Sequence, residues 1–280
     1  MIISGLIISV NDKGVYGMGY YELKQVAPWL YSIYDPMSVF CYLAVGSEKA
    51  LLYDTVFGVG DLHEVIREIT DKPVTVALGH GHIDHANGAH QFESAYLHDN
   101  DLTLFGIHTS KEYRTNIINN LKEGGIETPA GFDSQSYIDA AACKLLSMKE
   151  GMSFELGGLR GEVVEMAGHT AGSVGLLFRD KRTLLVSDAA NAHVWMFLEE
   201  SLPISEYIKM LDRVYDMDFQ TFYTGHGNEP QPKSMLQKYK KVAAEASLDK
   251  AVPYEQLKAL KPYFYEEDGV GIVFSERTLR

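Results

Sequence analysis

The chain has 280 residues, 46% of them apolar and 11% aromatic, enough to bury a sizeable core because the buried fraction of surface rises with chain length. Its 38 acidic residues against 25 basic give a formal net charge of −13 with no compensating basic stripe, which argues against nucleic acid as a partner. No apolar run reaches the length that spans a bilayer, and the two cysteines, Cys41 and Cys143, sit in apolar settings without a short-range partner, as reduced thiols of a cytoplasmic protein do.

The opening run from Met1 to Val10 is apolar but has no basic leader and no small-residue cleavage site, so it predicts a first strand and not a signal peptide. Strands are expected through residue 57, among them Val39–Val45, a Gly46-Ser47-Glu48-Lys49 turn, and Ala50–Asp54. Asp61 caps a helix running to Thr70, with Leu62, Val65, Ile66 and Ile69 at helical spacing. Pro73–Leu78 is short, apolar and β-branched, the pattern of a buried strand. Strand, helix and strand form a βαβ unit that delivers its chemistry where the second strand ends.

At that end stands Gly79-His80-Gly81-His82-Ile83-Asp84-His85, three histidines and one carboxylate in seven residues. Imidazole with carboxylate suits divalent transition metals. Two residues apart in extended chain, His80 and His82 point the same way and can grip one ion, while Asp84 and His85 fall beyond them, where a second ion is natural.

Further on, Ser94–Leu97 is a short strand, and the stretch from about 101 to 149 turns polar and glycine-rich, with helical spacing near 111–122 and 137–146. It reads as an inserted helical lid or loop beside the site. Strands resume at Met152–Leu156, Leu159–Glu165 and Val174–Phe178, the last two separated by Gly168-His169-Thr170-Ala171-Gly172. Arg182–Asp188 then echoes Lys49–Asp54, and Phe222–Gly227 echoes Ala77–Gly81, which suggests duplicated βα units. Between those echoes an amphipathic helix covers Ser205–Tyr215, with Tyr207, Ile208, Leu211 and Val214 on one face. A helix after Pro232 to about Leu248, another over Tyr254–Leu260 and a strand over Gly269–Phe274 close the chain. No linker is long enough to divide it, so residues 1–280 read as one domain with the insertion at about 101–149 and a helical C-terminal segment at about 230–262.

His169 in its glycine-flanked turn, Asp188 at a strand end and His226 in Thr224-Gly225-His226-Gly227 extend the first cluster to seven histidine or carboxylate residues, all where strands terminate. In type and order, His80-x-His82-x-Asp84-His85 followed by His169, Asp188 and His226 resembles the metallo-β-lactamase-fold superfamily, with Asp54 in the place of its first acidic motif. The resemblance implies an α/β fold, an αβ/βα four-layer sandwich of the metallo-β-lactamase type with a helical insertion. It also implies two divalent metal ions, with zinc favoured by the nitrogen and oxygen donors and iron or manganese able to use the same set. His80, His82 and His169 would hold the first ion, Asp84, His85 and His226 the second, and Asp188 would bridge them. Asp54 would serve either as support behind the ligands or as a strand-end cap.

A bridging water activated by such ions attacks a carbonyl or phosphorus centre, and Asp84 would orient it and shuttle its proton. The implied function is a metal-dependent hydrolase of a small ester, thioester, lactone or related molecule; an iron-dependent oxygenase or redox enzyme and a non-catalytic metal-binding protein are the alternatives. Asn191 stands where lactonases of the family carry a tyrosine, which weakens the lactone reading, and the intact His82 differs from the glutamate of flavodiiron relatives, which favours hydrolysis over redox work. Lys238, Tyr239, Lys240, Lys241 and Tyr254 supply the residue types that glyoxalase II relatives use for glutathione, without aligning to that site. Asn191, His193 and Trp195 follow the bridging aspartate directly and are the expected substrate-pocket wall, whereas histidines 63, 90, 98 and 108 carry no expected role. The partner so implied is a small-molecule substrate, with neither nucleic acid nor membrane.

Overall fold

Eight strands lie side by side in chain order in the first sheet: Val15–Met18, Tyr21–Ala27, Leu30–Tyr34, Phe40–Val45, Ala50–Tyr53, Val74–Ala77, Ser94–His98 and Lys144–Met148. The computed structural model describes residues 15–255 and 260–280. Contacts divide the chain into one unit of residues up to Leu97 with Leu102–Ser147 and Phe154–Leu159, and another of His98–Asp101, Met148–Ser153 and Arg160–Arg280.

In the first unit the sheet changes direction where it matters. Its early strands pair antiparallel, but Ala50–Tyr53 and Val74–Ala77 run parallel, with Ala50 opposite Val74 and Tyr53 opposite Ala77. A parallel pair needs a crossover, supplied by the helix Leu62–Ile69, whose cap Asp61 accepts the Glu64 N–H and which buries Leu62, Val65 and Ile66. These pack with Val39, Cys41, Leu43, Leu52 and Val76 in one apolar cluster, each buried aliphatic side chain contributing about 1.5–3 kcal/mol. Asp54 and the histidine loop thereby emerge from the same ends of adjacent strands.

Helices Leu102–His108, Lys111–Glu123 and Ser134–Asp139 occupy most of the expected insertion. Ile117, Ile118, Leu121 and Tyr137 join Val59 and Ile83 in a second apolar cluster. The helix expected over 137–146 is instead the end of Ser134–Asp139 followed by a strand, Lys144–Met148. Ala140, at φ −56° and ψ 133°, turns the chain out of helix, although the apolar residues beyond it keep a helical spacing.

The second unit repeats the crossover. Thr183–Ser187 and Thr221–Thr224 pair in parallel across the helix Ile204–Tyr215, which buries Ile204, Tyr207, Met210, Leu211 and Val214. The two sequence echoes thus fall on strands with the same connection. The sheet order is Gly227–Pro232, Thr221–Thr224, Thr183–Ser187, Val174–Phe178, Arg160–Glu165, Ser153–Glu155. Pro230 and Pro232 lie in the edge strand, where missing donors are tolerated, so the C-terminal helix begins only at Met235 and ends at Glu245. A third sheet orders His193–Met196, Val270–Phe274, Tyr263–Glu267, Val252–Pro253. The opening strand expected over 1–10, and residues 256–259 of the helix expected over Tyr254–Leu260, lie outside the described residues. Among the described residues no helix is long and apolar enough to cross a membrane.

Candidate metal centre

The loop after Val74–Ala77 leaves the strand at Leu78 and re-enters helix at Ile83–Ala86, with His82 extended at the helix N-cap. His80, His82 and His85 are all buried. His80 Nε2 faces His82 Nδ1 at 3.0 Å, and the His80 ring lies 4.6 Å from that of His85. His85 Nδ1 donates to Asp54 Oδ2 at 3.2 Å, which puts the lone pair of the neutral ring on Nε2. That Nε2 meets Asp84 Oδ2 at 3.3 Å. Two acceptors brought together in this way need a proton or a cation between them, and a carboxylate behind the far nitrogen of a histidine is the arrangement that orients it as a metal ligand.

Asp54 holds the loop at two points. Its Oδ1 accepts the Gly79 N–H at 2.6 Å while Oδ2 holds His85. Its φ of 64° is left-handed, a conformation that Asp tolerates better than most residues. At the corresponding place of the second unit, Ser187 has φ 48° and Asp188 follows it.

In the second unit Asp188 is the hub. Its Oδ1 accepts from Asn191 Nδ2 at 2.8 Å, and its Oδ2 lies 3.3 Å from His226 Nε2 and 3.9 Å from His169 Nε2. His169 Nδ1 donates to the Trp195 carbonyl at 2.7 Å, again leaving Nε2 as the lone-pair nitrogen. The Gly225 N–H donates to the Ser187 carbonyl at 2.8 Å and holds the His226 loop beside Asp188. The turn carrying His169 is fixed by Asp101, which accepts from Thr170 Oγ1 and from the Gly172 N–H, both at 2.8 Å. A Cβ at Gly172 would stand 2.5 Å from Asp101 Oδ1, so only glycine fits there. Ser201 Oγ donates to the His169 carbonyl at 2.9 Å.

Of the expected pocket residues, Asn191 is buried and engaged with Asp188. His193 is exposed, 3.6 Å from Glu266 Oε2 with its ring 5.4 Å from that of Phe264. Trp195 exposes 37% of its surface and lies tilted against Phe197 and edgewise to Tyr254.

Several residues around the histidine loop carry no signal in the sequence. Asn87 donates to the Phe57 carbonyl at 2.7 Å and accepts from Arg114 Nε at 2.8 Å. The buried Arg114 guanidinium also donates to the Tyr137 and Ala140 carbonyls, tying the inserted helices to the residue two beyond His85. Asp35, 2% exposed, accepts the Met37 and Val39 amides through Oδ1, and its Oδ2 is buried with no partner among the described residues. Burial pushes its carboxyl up to about 6; those two amide bonds and His85 oppose the rise, and Asp84 adds to it. Burial and then the charge of Asp54 raise the Cys41 thiol.

Residues 34–261 match the family described as the metallo-beta-lactamase superfamily. Among curated proteins the chain is similar to the human acyl-coenzyme A thioesterase MBLAC2, 23% identical over 189 aligned residues, with 63% of this chain and 67% of that protein covered. Among solved structures it is similar to the metallo-beta-lactamase family protein TTHA1429 from Thermus thermophilus, with a TM-score of 0.55 and 19% identity over 78% of this chain and 80% of that one. It is also similar to the inverting sec-alkylsulfatase Pisa1 from Pseudomonas sp., with a TM-score of 0.59 and 15% identity over 79% of this chain and 41% of that one. These likenesses give the fold class expected from the motif series.

Proposed function

The chain belongs to the metallo-β-lactamase superfamily, and on that footing we propose that it is a metal-dependent hydrolase of a small carbonyl substrate, a thioester or ester. The observation that carries this reading is how the loop holds its donors: His80 Nε2 and His82 Nδ1 face each other at 3.0 Å, and His85, held by Asp54, turns its other nitrogen to Asp84 at 3.3 Å. Such a donor set, free of thiolate, fits zinc, iron or manganese. His80, His82 and His169 would hold one ion and Asp84, His85 and His226 the other, with Asp188 shared. When bound, the ions supply Lewis acidity and bring the pKa of water toward neutrality.

The rest of the chemistry falls to the chain. Asp84, about a quarter exposed where the histidines are buried, orients the attacking water and moves its proton to the leaving group. Asp54 keeps the His85 ring in place, and Asn191 restrains Asp188 so that one oxygen stays turned to the histidines. The thioester preference is supported by the likeness to a thioesterase, and Asn191, His193 and Trp195 are the proposed contacts for the substrate. Both described cysteines are free thiols, which fits work in the reducing cytoplasm.

The test is a panel of thioesters, esters, lactones and phosphodiesters against the purified, metal-analysed protein. Two equivalents of divalent metal, with thioester or ester hydrolysis lost on chelation and restored by metal, are expected. A metal-loaded protein that hydrolyses none of them, or that consumes oxygen instead, overturns the reading.

A further inference from the structure

We propose that His108 is a positioning residue for His82, capping the chain just after it and packing on its ring; the inference rests on the reading of His82 as a metal ligand. The first N–H groups of any helix lack intrahelical partners and are normally capped by the side chain at the N-cap. In the helix Ile83–Ala86 the N-cap residue is His82, whose side chain makes no capping bond. Its Nδ1 is turned instead toward His80 Nε2. A residue used as a ligand in this way cannot also cap, and the cap comes from elsewhere.

It comes from His108, the last residue of the helix Leu102–His108. The Ile83 N–H donates to His108 Nδ1 at 3.3 Å, so the proton of the neutral His108 ring belongs on Nε2. The same ring packs on that of His82, with centroids 4.8 Å apart and planes 32° apart, and on that of Tyr113, 4.4 Å away at 30°. Tyr113 belongs to the helix Lys111–Glu123, whose Ile117, Ile118 and Leu121 pack in the same cluster as Ile83. His82 is thus held on its ring face by a residue of the insertion, and the amide following it is held by the same residue. The inserted helices brace the histidine loop, and His108 is where the brace meets a ligand.

Three variants separate the parts. His108→Ala removes cap and ring, His108→Asn keeps an acceptor near the place of Nδ1, and His108→Phe keeps the ring without the acceptor. Two readouts are needed. In the metal-free protein, amide hydrogen exchange at Ile83 should lose its protection in the Ala and Phe variants and keep it in the Asn variant. In cobalt titrations, first-ion affinity should fall about 10–100-fold in His108→Ala, the range for removing a partner that orients a metal ligand, with a changed visible spectrum and an unchanged second ion. Smaller falls are expected in the Asn and Phe variants.

Parent-like first-ion affinity and Ile83 protection in His108→Ala overturn the proposal. Should that variant fail to fold, parent-like affinity in both the Asn and Phe variants overturns it equally. A parent protein that binds no cobalt overturns the hydrolase reading, and the exchange experiment still decides separately whether His108 caps Ile83.

Discussion

The donors of the histidine loop and those around Asp188 are alike in chemical type and opposite in how the chain holds them. His80, His82, Asp84 and His85 come from one short segment, and its three histidines are buried. Their restraints are mutual or come from close by: Asp54 behind His85, His108 against His82, Asn87 with Arg114 just beyond. His169, Asp188 and His226 come from separate loops, with ties that include Trp195 and Ser201 for His169, Asn191 for Asp188 and the Ser187 carbonyl for the His226 loop; His169 is buried, whereas His226 leaves 40% of its side chain in solvent. Burial fixes geometry but raises the cost of any charge placed there, and exposure relaxes both. The histidine loop is therefore expected to be rigid and sensitive to small changes behind it, and the second set, at its partly exposed member His226, more tolerant of them.

The largest effect expected is at Asp84, the partly exposed member of the buried set. Asp84→Asn should lower kcat on a proven substrate about 10²–10⁴-fold, the range for a general acid–base group, with both ions retained by metal analysis. Parent-like turnover would remove Asp84 from the chemistry. Next, His169→Ala should lose the first ion, by more than the 10–100-fold that changes behind a ligand cause, and keep the second. Two full equivalents in that variant would show that His169 is not a ligand. Asp54→Asn sharpens the contrast: the residue touches no proposed ion, yet the amide has one acceptor oxygen for two donors, the Gly79 N–H and the His85 Nδ1–H. Metal affinity should fall about 10–100-fold, whereas Asn191→Ala in the second set should cost less. Equal losses at the two positions, measured by competition with a chelator, would erase the distinction.

The contrast also explains what the sequence can display. Val174–Phe178 is predicted to the residue and Ile204–Tyr215 to within one, because buried strands and amphipathic helices write their periods locally. The histidine loop stands out for the same reason, its donors crowded after a single strand, whereas His169, Asp188 and His226 are bland singly and gain meaning only from their order in the family. Residues that act by position leave no such mark. His108 ends a short helix, Asp35 sits in a hairpin turn and Asp101 follows a short strand; what each touches is decided by chain up to about seventy positions away. The strand Lys144–Met148 is hidden because Tyr137, Ala141 and Leu145 keep a helical spacing across a backbone that has already left helix at Ala140.

The smallest effect tests the electrostatic side of the comparison, at Asp35. Tyr20, Tyr21, Cys41, Asp84, His85 and Tyr137 are the titratable groups that act on it or that it acts on. Its carboxyl is raised to about 6, above all by burial, so in the metal-free protein the folded state holds a proton there that the unfolded chain releases near pH 4. A group raised in this way contributes stability that is present below its unfolded pKa and lost as pH climbs through the folded one. Asp35→Asn cannot lose a proton, keeps an oxygen for the Met37 and Val39 amides, and puts an N–H where Oδ2 has no partner among the described residues. In urea unfolding of the metal-free proteins, the stability of the variant relative to the parent should therefore grow by about 1–2 kcal/mol between pH 4.5 and 7. Titrations common to both proteins cancel in that difference. A difference that is flat over this range, or that shrinks, would mean that the ionised carboxylate is tolerated beside the histidine loop, and that the loop is not the dry, restrained half of the comparison.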